Sequence, residues 1–306
     1  MRNRQIVKAL LAYVLIASRC ALASAGGAQE STHAVAVVCA LAGQPMVVPP
    51  AEERRALGLF DWLPEGAVIE ATADSKLTLA LRNGRRYELS GSARAAVGVE
   101  ELTSVSGNVR SLAPLPPWPQ IAGIRADEKP GRRAGAVRIR GEQIPIRYPG
   151  DGFSVLADRA VLEFRVVDGA HRYRVEIQNE AGKAIFQVET QAAKVHVSPG
   201  VLQRGSSYYW TVRSLDRQGA VARGESSFST LSTEAEEARE TLLASVEKAG
   251  DAASFALMAE IDRGLGLLGE ARDGLRTALQ KSPAEPQLAE ALAALERRLV
   301  AGERVE

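Results

Sequence analysis

Residues 77–89 read Leu-Thr-Leu-Ala-Leu-Arg-Asn-Gly-Arg-Arg-Tyr-Glu-Leu, and they constrain the fold of this chain more than any other stretch. Leu77, Leu79 and Leu81 alternate with Thr78, Ala80 and Arg82, and Tyr87 and Leu89 continue the alternation on the way back. Between the two runs stands Asn83-Gly84, a pair that tolerates positive φ at both turn positions. The spacing predicts a tight β-hairpin with one buried face. Residues 63–70, Leu-Pro-Glu-Gly-Ala-Val-Ile-Glu, read as a turn feeding a further short strand. Short strands punctuated by turn residues imply a small all-β unit over residues 33–99.

The start of the chain carries a different signal. Arg2, Arg4 and Lys8 precede the uncharged apolar run of residues 9–17, which is shorter than the roughly 20 residues a membrane-spanning helix needs. Ala23-Ser24-Ala25 supplies small residues of the kind a signal peptidase accepts. Residues 1–25 are therefore read as a secretory signal, cleaved after Ala25, with an uncleaved anchor as the alternative. Cys20 follows Ser18-Arg19, where a lipoprotein signal would carry a small residue, which argues against lipidation. Cleavage would leave Cys39 as the one cysteine, in an apolar strand-like run, and a single cysteine forms no internal disulfide. No later segment has the length and apolarity of a transmembrane helix, so the expected location is a bacterial periplasm or cell surface.

The 306 residues allow two or three domains, and a formal net charge of +1 provides no field to attract nucleic acid. Residues 112–152 form a connector. It opens on Pro114, Pro116, Pro117 and Pro119 around Trp118 and turns basic with Arg132, Arg133, Arg138, Arg140 and Arg147. Those arginines would suit an anionic polymer, or would simply be a solvated linker whose residues 137–140 form a charge-protected edge strand. Residues 153–231 show paired alternating runs, Leu162, Phe164 and Val166, then Tyr173, Val175 and Ile177. They close on Tyr208-Tyr209-Trp210-Thr211-Val212. Residues 233–304 are helical, with Ala238, Leu242 and Val246 along one face and a two-helix pattern from Ala252 to Pro283. A further amphipathic run carries Leu288, Leu292, Leu295 and Leu299.

Three family resemblances follow from these residues. Leu63-Pro64-Glu65-Gly66-Ala67-Val68-Ile69, with Ser75-Lys76-Leu77-Thr78-Leu79 and Gly84, resembles the FecR-type domain of bacterial envelope proteins, which implies periplasmic protein contacts. Residues 202–212 resemble the fibronectin type III domain, which implies a β-sandwich in which Tyr208 is the corner tyrosine; Arg204 stands where proline is usual. Residues 252–283 resemble a tetratricopeptide repeat, with Phe255, Met258 and Ala259 on the first helix and Ala271, Leu275 and Ala278 on the second. Asp262 departs from that pattern at a tyrosine position. The fold expected is thus multi-domain, two all-β modules followed by an all-α tetratricopeptide-like module.

Chemistry-bearing patterns are sparse. His33, His171 and His196 are isolated, and no paired cysteines or His-x-x-x-His spacing suggests a zinc site. There is no phosphate-binding glycine loop and no nucleophile elbow, and Asp151 and Asp158 lack the spaced companions of a calcium loop. The expectation is a non-enzyme without cofactor or metal, an adaptor or scaffold that binds envelope proteins through its β and helical modules. Phe255 and Asp262, with Arg132, Arg133 and Arg138, are the candidate partner-binding residues. The competing expectation is a polysaccharide- or cell-wall-binding module, in which the connector arginines hold anionic groups and Trp118 or Tyr209 stacks on sugar rings.

Overall fold

The structure, a computed structural model, describes residues 34–118, 143–215 and 221–301. The expected signal peptide and Arg132, Arg133 and Arg138 lie outside the described residues.

Eight strands make the first sheet: β1 (Ala34–Ala42), β2 (Met46–Val48), β3 (Arg55–Ala56), β4 (Trp62–Pro64), β5 (Val68–Glu70), β6 (Lys76–Leu81), β7 (Arg86–Val97) and β8 (Leu102–Leu112). They follow the order β3-β2-β5-β7-β6-β1-β4, with β8 paired to β7. The Asn83-Gly84 hairpin forms, with Leu79 opposite Tyr87 and Leu77 opposite Leu89, but β6 is buried on both faces, Thr78 and Ala80 included. β7 is long enough to serve two neighbours on one side. Its first half pairs with β6 and its second with β5, so the sheet curls into a half-barrel around Leu63, Ile69, Leu77, Leu79 and Leu89.

Two further sheets face each other across a second core. One has five strands in the order β10 (Phe153–Val155), β16 (Arg223–Thr230), β15 (Ser207–Ser214), β12 (Tyr173–Asn179), β13 (Ala184–Thr190). The other has three, β14 (Lys194–His196), β11 (Val161–Phe164) and β9 (Ile146–Tyr148). Period-2 alternation sends Leu162 and Phe164 from one sheet, and Tyr173, Val175, Ile177, Trp210 and Val212 from the other, into the shared interior. Tyr208 makes the corner bond expected of it. Its hydroxyl accepts from the Gln203 amide at 2.7 Å and donates to the Gln203 carbonyl at 3.3 Å.

Four helices follow among the described residues: α1 (Thr233–Ala249), α2 (Ala252–Gly264), α3 (Leu268–Lys281) and α4 (Pro286–Ala301). Ser232 caps α1 by accepting from the Ala235 amide at 3.3 Å, and Asp251 caps α2 through the Ser254 amide at 2.8 Å. Gly250, in the left-handed region at φ 70°, turns the chain between them.

The helices do not form a module of their own, and the multi-domain expectation is corrected here. Residues from Val35 onward make one compact, mostly β unit with its helices at the C-terminal end. β1 explains why. Ala36 and Val38 point into the half-barrel, while Val37 and Cys39 point outward into a core shared with Leu242 and Val246 of α1 and Leu257 and Ile261 of α2. Trp118, 1% exposed, sits in that same core, so the proline-rich connector begins as packed structure rather than a free spacer. Phe153 and Tyr148 reach from the two-sheet part into the core of α3 and α4.

The path into Trp118 runs over the hairpin turn. The Leu115 amide donates to the Gly84 carbonyl at 2.9 Å and the Trp118 amide to the Arg82 carbonyl at 3.1 Å. Gly84 has φ 88°, and a Cβ on it would lie 1.9 Å from the Leu115 carbonyl oxygen. Gly84→Ala is therefore expected to cost at least about 2 kcal/mol, from left-handed strain and from displacing the Leu115 backbone. Chemical denaturation checks this; a loss near zero would show that the connector does not pack on the turn.

Candidate functional site

Two clefts open where strands and helices meet. The larger, about 390 Å3, lies between the β6–β8 face and the α1–α2 turn, and most of its charges pair with one another. Lys76 and Arg110 both pair with Glu88, at 3.1 and 2.9 Å. Arg86, 3% exposed, pairs with Asp251 at 3.0 Å, hydrogen-bonds the Ser254 hydroxyl and donates to the Ala113 carbonyl at 2.9 Å. Burial works against the Asp251 carboxylate, but hydrogen bonds from Ser254 and Arg86 outweigh it and hold the group below its ordinary range. This cleft is a structural joint: Arg86 ties β7 to the cap of α2.

The second cleft, about 240 Å3, is built differently. Its walls are Ala259 of α2, Leu275 of α3, and Ala291, Ala294 and Leu295 of α4, and Phe60 from the half-barrel closes one end. Small alanines on α4 at the 291 and 294 positions leave the groove open to solvent, because no long side chain fills it. The loop carrying Phe60 is firmly held. Phe60 itself adopts φ 65°, its amide donates to the Val38 carbonyl at 2.9 Å, and the Leu59 amide donates to Gln287 Oε1 at 2.9 Å. Asp61 accepts from the Gly58 amide at 2.9 Å, closing the turn.

Charge at the rim of this groove is unbalanced. Glu260 is buried and bound by Arg263 through two hydrogen bonds of 2.7 Å, and it also accepts from Trp62 Nε1 at 3.1 Å. Arg82 lies over the Trp62 ring at 5.5 Å. That set neutralises Arg263 and leaves Arg298 of α4 with no acidic partner among the described residues. Partial burial, reinforced by the nearby Arg263 charge, pushes the Arg298 guanidinium below its ordinary range. An apolar groove ending in an uncompensated cation is suited to an apolar side chain with a carboxylate beside it.

The residues that the sequence singled out sit elsewhere. Asp262, 1% exposed, accepts from Arg239 Nε at 2.6 Å and Nη2 at 2.9 Å, so it joins α2 to α1 rather than presenting a surface. Phe255 is half-buried on α2 beneath Lys281 Nζ, 5.2 Å from its ring centroid, and does not line the groove. Trp118 is buried, which removes it from any sugar-stacking role, and Trp210 is core, its indole N–H donating to the Pro149 carbonyl at 3.2 Å. Asp158 pairs with Arg204 at 2.7 Å, and Asp151 accepts from the Ser227 amide at 2.8 Å. Among the described residues, no group of three or more His, Cys, Asp or Glu side chains is placed to hold a metal ion. Burial raises the Cys39 thiol far above its usual range, so it stays a neutral apolar side chain.

Sequence reasoning passed over the groove because its parts lie on three helices and a distant loop. The spacing of Ala291, Ala294, Leu295 and Arg298 along one face of the last helix was its only trace, and Phe60 carried none.

No protein-family model matches the chain, and no curated protein matches it. Among solved structures, the chain is similar to CopC from Methylosinus trichosporium OB3b at 19% identity. That match has a TM-score of 0.24 and covers 30% of this chain and 96% of that one.

The Arg239–Asp262 pair generates a pH-dependent expectation. Burial pushes the Asp262 carboxyl up to about 6 even with Arg239 beside it. Removing the guanidinium by Arg239→Ala leaves a buried carboxylate whose charge costs about 3–5 kcal/mol until it takes up a proton. A carboxyl whose pKa is raised in the folded state loses that penalty as pH falls through it toward the unfolded value. The variant should therefore be much less stable than the parent at pH 8 and close part of the gap at pH 5. Urea melts at the two pH values check this, and an equal gap at both would count against a buried charge.

Proposed function

We propose that this chain is a non-catalytic adaptor of a bacterial cell envelope, which holds a partner protein in the groove between α2, α3 and α4. The observation that carries the reading is the combination of apolar walls and Arg298 at one end, which has no acidic partner among the described residues. A groove of this kind is satisfied by a peptide or helix that inserts an apolar side chain and brings its own carboxylate. The position of Phe60 sets the groove's length, since the half-barrel supplies the wall against which the incoming side chain would stop. A partner would thus touch both the helices and the sheet.

Export rests on the basic start, short apolar run and Ala-Ser-Ala of residues 1–25, and the FecR-type resemblance of residues 63–84 supports an envelope setting. Among the described residues, no helix is long and apolar enough to cross a membrane. Of the two aromatics in the polysaccharide reading, Trp118 is interior and Tyr209 is only partly buried.

Deleting residues 233–306 would strip the cover from β1, so the test uses single sites instead. A photo-crosslinking amino acid at Ala294, which is exposed, is expected to give a discrete adduct with one envelope protein in intact cells. The same probe at Glu247, exposed on α1, should not, and Arg298→Glu should reduce the Ala294 adduct several-fold. Equal adducts from both sites, or envelope polymer recovered in place of protein, would overturn the adaptor reading.

A further inference from the structure

The first sheet ends on β8, and that edge is long and, among the described residues, bare. Strands average five or six residues, and edges are usually kept short or studded with charge and proline. β8 has 11 residues, Leu-Thr-Ser-Val-Ser-Gly-Asn-Val-Arg-Ser-Leu, without proline. Its one charge, Arg110, is already engaged by Glu88 at 2.9 Å. β8 pairs with β7 along one side, and its other side pairs with no strand among the described residues. Residues 103–108 are all exposed, Val105 at 58%.

The strand is also nearly palindromic about Gly107. Antiparallel pairing of two copies centred there sets Leu102 against Leu112, Thr103 against Ser111, Val105 against Val109 and Ser106 against Asn108. Apolar residues meet apolar ones and hydrogen-bonding side chains meet their like, the pairs that stabilise a two-stranded contact. Arg110 meets Ser104, so no like charges are opposed. Geometry selects the same centre. β8 bends at Gly107, with φ 81°, where a Cβ would fall 2.3 Å from the Ser92 carbonyl oxygen, and the register with β7 shifts there. Two copies related by a two-fold axis through Gly107 bend together, whereas any other register sets a bend against a straight leg.

We propose that β8 is a self-association edge, through which a second copy of the chain adds its own β8 antiparallel about Gly107 and joins two half-barrels into one continuous sheet. The contact is isologous and closes on itself, so it stops at a dimer. One strand edge is a small interface, and the dimer forms as a concentration-dependent equilibrium. The inference is independent of the groove between the helices.

Position 104 tests it with two opposite charges at one exposed site. In the proposed register Ser104→Glu faces Arg110 of the other copy twice per dimer, and Ser104→Arg opposes it twice. Sedimentation equilibrium of the full chain should show masses moving from one chain toward two as concentration rises. Ser104→Glu should tighten the dimer by roughly three- to ten-fold and Ser104→Arg should weaken it by a similar factor. Unchanged circular dichroism confirms that each variant is folded. A single-chain mass at every concentration, or shifts of the same sign in both variants, would overturn the proposal.

Discussion

Because Ala36, Val37, Val38 and Cys39 are all at most 1% exposed, β1 needs apolar cover on both of its faces. The half-barrel supplies one cover and α1 and α2 the other, with Trp118 sealing the second core from the side. A strand exposed on its outer face would show Val37 and Cys39 to water, at a cost of about 1.5–3 kcal/mol for a side chain of valine size. The helices are therefore part of the first sheet's stability, and the sheet part of theirs. The groove inherits this arrangement, since Phe60 reaches α2 and α4 only because β1 and β4 are already docked against the helices.

Polar contacts at the same junction fix orientation. Arg86 reaches the cap of α2 through Asp251 and Ser254. Arg204 links the Asp158 loop to Glu236 of α1, and Tyr148 reaches Glu270 of α3 at 3.4 Å. Burial raises both the Tyr148 hydroxyl and the Glu270 carboxyl above their usual ranges, as expected for polar groups held away from water between β9 and α3. Each of these contacts joins a strand or loop to a helix. Together they fix how the helices dock on the sheets.

Local pattern carried the elements well and their assembly poorly. The Asn83-Gly84 hairpin, the alternating strands at 162–164 and 173–177, the Tyr208 corner and the helical faces are all written in short-range spacing. What spacing does not record is which face of a strand receives a helix from two hundred residues away. The run Ala34–Ala42 did hold a clue, since near-continuous apolar character marks a strand buried on both faces. Reading Cys39 only as a lone cysteine in an apolar run misses that consequence. Asp262 stands out in the sequence only as a departure from a repeat pattern; its partner Arg239 lies on another helix, and only the packed structure shows that the two pair. For the same reason Phe60 leaves no trace in its own segment, and Arg298 shows only as one position on a face of the last helix.

The central claim is that sheet and helices are one cooperative unit built around β1, and native-state hydrogen exchange measures that most directly. If β1 is covered as described, the slowest amides of β1 and β6 and those of α1 and α2 should open together, with the same free energy and the same dependence on denaturant. Helical amides that open in a separate step, more than about 2 kcal/mol below the strands, would contradict it and restore an independent helical module.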